Sequence, residues 1–184
     1  MAAARAAHKD IAKLYPIRIT RNLPTAREWL REKARGSERF GLVASSGAAR
    51  LRPEGLHVKS EISAESWFLN DRFDVRSSFA LEEVGTEFDV QGLELDWSGL
   101  CWDADLRFGH DGWEKFKFRG TVWQNVNLEA NQRYLVNAYR VLLTRARQGM
   151  VIFVPNGDDR DVTRPTKFYD GTYDYLCACG AEPL

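Results

Sequence analysis

Two arginines near the end of a predicted helix carry the first chemical signal in this sequence. Arg145 and Arg147 lie within NAYRVLLTRARQGMVIFVP, the stretch from 137 to 155. A guanidinium donates two parallel hydrogen bonds to phosphate oxygens, so either arginine could stabilise a phosphoryl group. The alternative is structural, because cations in the last turn of a helix stabilise the negative end of its dipole.

The residues around these arginines predict a helix that runs into a buried strand. Apolar residues recur at helical spacing from residue 129, and residues 150–154 (MVIFV) form an unbroken apolar run. Such a run is typical of a strand buried on both faces. We predict a helix at 129–147, with Gly149 at the C-cap. Residues two apart on a helix point about 200° from each other, so both arginines cannot face one cleft.

A pair of carboxylates, Asp103 and Asp105, is the second candidate site. Together with Asp89 or Asp96 they could form the metal-binding cluster of a metal-dependent nuclease or transferase. Short Asp-x-Asp sequences are also common in the polar loops that follow strands, which is the alternative interpretation. The three histidines and three cysteines show no metal-ligand spacing, and we predict no metal site.

Composition favours one globular domain. The chain has 184 residues, 44% of them apolar, and a formal net charge of zero. The charge is uneven, with +8 over residues 1–60, −10 over 61–115 and +2 over 116–184. The basic first third suits either a nucleic-acid surface or solvated helix faces paired with the acidic middle. Without a secretory h-region or an apolar run of about 20 residues, we expect a cytoplasmic protein and no membrane partner.

The order of predicted elements indicates an α/β fold, a mostly parallel sheet with helices on both faces. Strands are predicted at 16–20, 40–45, 95–102 and 150–154, with a further short one at 57–59. Helices are predicted at 22–36, 63–70, 129–147 and 168–179. Residues 1–14 are predicted as a helical remnant, 15–180 as the domain, and 107–128 as a β-hairpin insertion within it. Trp113 and Trp123 in the insertion are candidates for packing or for base stacking.

Two segments together resemble motifs of known enzymes. TEFDVQGLE, residues 86–94, and LLTRA, residues 142–146, each precede a predicted core strand and resemble motifs V and VI of superfamily 1 helicases. A wider resemblance covers 15–180 and is carried by YPIRITRNL, RFGLVASSGAARLRP, WFLN, DVRSSFALEEVGTEFDVQGLELDW and NAYRVLLTRARQGMVIFVP. These segments look like the C-terminal part of the Schlafen group 3-like DNA/RNA helicase family. The resemblance implies a RecA-like domain, the second motor domain of a P-loop NTPase.

The resemblance also implies roles at an ATP cleft. Arg145 would be the arginine finger, supported by Thr144, and would stabilise charge on the γ-phosphate. Gln91 and Gly92 would lie at the cleft and couple nucleotide to nucleic acid, while Glu94 would bind the ribose. Arg147 would then be left to pair with a carboxylate or to cover the helix end.

A single-stranded nucleic acid is the partner that the resemblance implies. Thr86, and more weakly Ser45 and Ser46, would contact its phosphate backbone.

One part of the helicase pattern does not occur in these 184 residues. No G-x-x-x-x-G-K-[ST] sequence and no Walker B run ending in Asp-Glu are present. We therefore expect no ATP hydrolysis by this chain alone, and ATP with Mg²⁺ only together with a P-loop N-terminal domain in cis or in trans. The chain would be a truncated product, a dissected fragment or a subunit completed by another chain. The alternative is a non-catalytic module that binds nucleic acid or protein.

Overall fold

The computed structural model of the protein describes residues 15–58 and 62–184, so the helix predicted at 1–14 lies outside the described part. The described residues fold into two sheets and four α-helices. In chain order the strands are β1 (Ile17–Thr20), β2 (Phe40–Ala44), β3 (Val84–Thr86), β4 (Leu95–Cys101), β5 (Leu106–Gly109), β6 (Gly112–Arg119), β7 (Val122–Asn125), β8 (Ala146–Phe153) and β9 (Glu182–Pro183). The helices are α1 (Leu23–Lys33), α2 (Ala64–Leu69), α3 (Glu129–Leu143) and α4 (Lys167–Ala178), with 3-10 turns at Ala49–Glu54 and Ser78–Ala80.

A six-stranded sheet forms the core, with the strand order β3-β2-β4-β8-β1-β9 and parallel pairing throughout. All five residues of β2 and the last five of β8 are buried, as a parallel sheet covered on both faces requires. One apolar cluster packs α1 against one face of this sheet, and a second cluster packs α3 and α4 against the opposite face. The predicted α/β class with a mostly parallel sheet is confirmed.

Several predicted boundaries differ from the structure. The edge strands β3 and β9 were not predicted, because three and two residues are too few to show a period. His57 and Val58 lie outside any strand, and Lys59 falls outside the described residues. The helix expected to end near Gly36 ends at Lys33, where Ala34 takes an extended conformation.

The junction between α3 and β8 corrects the helix prediction at 129–147. α3 ends at Leu143, and the Thr144 hydroxyl donates to the carbonyl of Val141 at 2.9 Å. Arg145 and Arg147 therefore do not share a helical turn: Arg147 belongs to β8. Gly149 is also in β8 and does not cap the helix. A Cβ there would lie 2.8 Å from the Pro16 carbonyl oxygen, so glycine is needed for close packing.

A second, antiparallel sheet, β5-β6-β7, stands where the hairpin insertion was predicted. Aromatic rings dock it on α4: Phe108 stacks on Tyr175 with centroids 4.0 Å apart. The buried Arg107 guanidinium lies between the rings of Phe116 and Phe168, at 3.7 and 3.6 Å from their centroids.

The two tryptophans of this sheet are half-buried and contribute to packing. Trp113 stacks on Trp102 with centroids 5.5 Å apart, and the Trp123 indole donates to the Thr163 carbonyl at 2.8 Å. Among residues 15–58 and 62–184, no helix combines the length and apolar character needed to cross a membrane.

Candidate functional site

The segments that precede β4 and β8 lie side by side at one edge of the main sheet, here called the amino edge. Parallel pairing brings the starts of neighbouring strands together, and the Leu95 N–H donates to the Arg145 carbonyl at 2.8 Å. The turn before β4 needs glycine, since Gly92 has φ of 79°. Gln91, Gly92 and Glu94 are exposed there. Thr144, also exposed, immediately precedes Arg145 in the other segment.

The Arg145 side chain connects these two segments. Its Nη1 donates to the Leu93 carbonyl at 3.3 Å, and its Nε donates to the Val141 carbonyl at 3.2 Å. The residue is half-buried, and in the described part of the chain no carboxylate lies within ion-pair distance of it. Among the described residues, no carboxylate therefore pairs with this guanidinium at the amino edge, beside the predicted nucleotide-binding residues.

Arg147 has a different environment. Its Nη2 lies 2.8 Å from Asp96 Oδ1, so it pairs with a carboxylate, the first of its two predicted roles. Gln148, the next residue of β8, donates to Glu38 at 2.9 Å. Hydrogen bonds from the Trp97 indole, the Arg35 backbone and Gln148 lower the pKa of Glu38 to about 2.

The predicted nucleic-acid residues gather at the opposite end of the strands, the carboxyl edge. Each hydroxyl there meets a carboxylate. Ser45, which is buried, donates to Asp105 at 2.7 Å, Ser46 donates to Glu87 at 2.7 Å, and Thr86 donates to Asp89 at 2.6 Å. The carboxyl edge is therefore separate from the amino edge, since β4 spans about 20 Å between them at roughly 3.3 Å per residue.

Asp103 and Asp105 are fully buried behind the carboxyl edge. The Tyr169 hydroxyl and the Arg50 backbone N–H donate to Asp103 at 3.0 and 2.8 Å. The Tyr139 hydroxyl donates to Asp105 at 2.5 Å. Burial raises the pKa of both carboxyls, and that of Asp105 reaches about 7 because the Asp103 charge adds to the effect.

These carboxylates do not gather as the metal-cluster alternative requires. Asp96 lies at the amino edge with Arg147, and Asp89 accepts hydrogen bonds from Thr86. Across residues 15–58 and 62–184, no three His, Cys, Asp or Glu side chains are grouped as metal ligands. The oxygens of Asp103 and Asp105 are occupied by hydroxyl and backbone donors, so the structure gives the nuclease interpretation no support.

Comparison with known protein families decides the affiliation. The model for the Schlafen group 3, DNA/RNA helicase domain, matches residues 2–156, which include both motif segments. The chain belongs to the Schlafen group 3 DNA/RNA helicase family. Membership supports a helicase-like role on nucleic acid and nucleotide binding in general. No curated protein and no solved structure matches the chain.

Sequence reasoning missed several polar residues of this Schlafen group 3 domain. Glu87 is 8% exposed and accepts hydrogen bonds from Ser46 and from the Tyr134 hydroxyl. Tyr139 and Tyr169, which donate to the buried carboxyl groups, lie in helices, and neither of them had a predicted role at a site. The carboxyl groups that accept hydrogen bonds from these tyrosine hydroxyls lie far away along the chain. The only signal in the sequence was therefore the presence of tyrosine rather than phenylalanine.

Proposed function

We propose that this domain is the C-terminal motor half of a superfamily 1-type helicase, supplying the arginine finger and part of the nucleic-acid track. The contact that supports this most strongly is the hydrogen bond from Arg145 to the Leu93 carbonyl. Through this bond the Arg145 guanidinium, which has no carboxylate partner among the described residues, lies beside the turn of Gln91 and Gly92. The bond joins segments 86–94 and 142–146, which resemble motifs V and VI.

The proposed nucleotide site is completed by another domain. Amide groups and a lysine of a P-loop, supplied in cis or in trans, would hold the phosphates, and the P-loop Ser/Thr hydroxyl with a Walker B Asp would hold Mg²⁺. Arg145 would leave the Leu93 carbonyl and donate to the γ-phosphate, with Thr144 supporting the end of α3. Glu94, exposed at the same edge, would accept a hydrogen bond from the ribose. ATP bound alone, without that domain, would meet one arginine and no amide cradle.

The proposed nucleic-acid track, the surface along which a single strand would bind, runs along the carboxyl edge at Ser46 and Thr86. Ser46 and Thr86 hydroxyls donate to Glu87 and Asp89 in the free domain, so a phosphate would replace a carboxylate as their acceptor. Ser45 is buried and donates to Asp105, and in this arrangement it supports the loop that carries Ser46.

The proposal is tested by assembling the domain with a P-loop domain of the same family and measuring ATP turnover. Turnover should appear only when both halves are present and should rise when single-stranded nucleic acid is added. Assembly that leaves turnover at the level of the P-loop domain alone would contradict the proposal and favour a non-catalytic module.

A further inference from the structure

Two large aromatic rings lie exposed side by side at the carboxyl edge. Phe88 and Tyr134 are stacked with ring centroids 6.1 Å apart and planes inclined by 25°. They keep 60% and 47% of their surface accessible to solvent. Single exposed apolar residues are ordinary on protein surfaces, whereas adjoining stacked rings present one continuous apolar surface.

Hydrogen bonds hold the rings of Phe88 and Tyr134, here called the platform, in place. The Tyr134 hydroxyl donates to Glu87 Oε1 at 2.9 Å. Glu87 is itself fixed by the Ser46 backbone N–H at 2.8 Å, a bond that stays in place when the Ser46 hydroxyl turns from Glu87 to a phosphate. Phe88 follows Glu87 directly in the chain, so both rings are tied to the loops that end β2 and β3. A ligand that stacks here loses little additional side-chain entropy on the protein.

A cavity adjoins the Tyr134 side of this platform. Its volume is about 270 Å³, and Phe116, Lys117 and Asn131 contribute to its lining. Pockets for drug-sized ligands have volumes of roughly 300–1,000 Å³, so this cavity suits a smaller group. An amide and an ammonium beside an aromatic wall can hydrogen-bond a base edge and attract a phosphate.

We propose that Phe88 and Tyr134 form a stacking platform for an unpaired nucleobase of single-stranded nucleic acid. This inference rests on the proposed function, because it extends the track that Ser46 and Thr86 begin. Stacking uses the face of a base, which all bases share, so the platform tolerates any sequence. Lys117 would attract the neighbouring phosphate, and Asn131 would hydrogen-bond the base edge.

Fluorescence anisotropy with a labelled oligo(dT) tests the platform on the full chain. Phe88→Ala and Tyr134→Ala should each weaken binding by about fivefold or more, which is the lower range for loss of one stacked base. Tyr134→Phe keeps the ring and loses only the hydroxyl bond to Glu87, so it should bind more tightly than Tyr134→Ala does. Phe73→Ala is the matched control, since Phe73 is 95% exposed in the loop after α2 and should not affect binding.

An oligonucleotide of equal length whose thymines are replaced by abasic sites separates stacking from phosphate contacts. Phe88→Ala should leave its affinity unchanged, because the phosphates remain and the bases are gone. Equal weakening for both oligonucleotides would overturn the platform and assign the ring a structural role. Unchanged oligo(dT) affinity in Phe88→Ala and Tyr134→Ala would overturn it too, while the track itself still stood. If the unmodified chain bound neither oligonucleotide at low salt, both the platform and the proposed track would fall.

Discussion

Arg145 Nη1 donates to the carbonyl oxygen of Leu93 at 3.3 Å, across 52 residues of sequence. The backbone contact from Leu95 N–H to the Arg145 carbonyl, at 2.8 Å, runs beside it. Movement of the guanidinium toward a phosphate would break the first contact and keep the second. The turn of Gln91 and Gly92 would then be released from the arginine, and under the proposed function this release would connect nucleotide binding to the segment that follows Thr86.

The buried carboxyl of Asp105 predicts a dependence of stability on pH. Burial raises its pKa from 3.8 to about 7, so the folded domain retains a proton that the unfolded chain releases. The free energy of unfolding should therefore fall as pH rises from about 4 to about 7, because the folded state binds more protons there. Asp105→Asn should reduce this slope in urea unfolding, since the amide can still bond Tyr139 and Ser45.

The control for that measurement is Asp111→Asn, because the Asp111 side chain is 93% exposed. This variant should follow the pH dependence of the unmodified domain. An Asp105→Asn slope identical to that of the Asp111→Asn domain would show that Asp105 is not held protonated by burial.

Gly149 predicts a packing defect when a methyl group is added. A Cβ at this position would lie 2.8 Å from the Pro16 carbonyl oxygen and 2.8 Å from the Trp97 ring. Gly149→Ala should lower the free energy of unfolding by about 1–3 kcal/mol, as overpacking does. Gln148→Ala, one residue earlier in β8, removes atoms from a half-buried site and should cost less than about 1 kcal/mol. Equal stability of the Gly149→Ala and unmodified domains would contradict the β1–β8 packing.

The main sheet could be predicted because its central strands are long apolar runs. Residues 40–44 and 150–154 are buried on both faces, so their sequence shows the environment directly. The end of α3 could not be predicted in the same way. Arg145, Ala146 and Arg147 are acceptable in a helix, but tertiary contacts end the helix at Leu143. The Leu95 N–H donates to the Arg145 carbonyl, and Asp96 forms an ion pair with Arg147.

For the candidate site too, the sequence shows local patterns and not the contacts between distant residues. Arg145 and the turn at Gln91 lie in two segments whose order along the chain resembles that of motifs V and VI. The stacking of Phe88 on Tyr134 and the contact of Tyr139 with Asp105 join residues 46 and 34 positions apart, with no local pattern. Ser45 and Ser46 were predicted together, yet Ser45 is buried and Ser46 half-buried, because β2 ends at Ala44 and the chain leaves the core over the next two residues.

The domain alone should not hydrolyse ATP. The 184 residues contain no P-loop sequence to cradle the β- and γ-phosphates, and Arg145 alone provides no binding site for Mg²⁺. Phosphate release by the purified domain, measured with ATP, Mg²⁺ and single-stranded nucleic acid, should equal the protein-free blank. Steady turnover that disappears in Arg145→Ala would mean that the described residues hold an unrecognised nucleotide site.

The role of Arg145 is tested most directly by ATP turnover of the domain assembled with a P-loop domain of its family, comparing Arg145→Lys with Arg147→Lys. Lysine keeps the charge and loses the planar fork that grips two phosphate oxygens. Arg145→Lys should lower turnover by about 10³-fold or more, as loss of an arginine finger does, with the thermal unfolding midpoint nearly unchanged. Arg147→Lys alters an exposed ion pair with Asp96 and should leave turnover within about fivefold of the unmodified assembly. Loss of turnover in Arg147→Lys together with normal turnover in Arg145→Lys would contradict the assignment of Arg145 as the arginine finger.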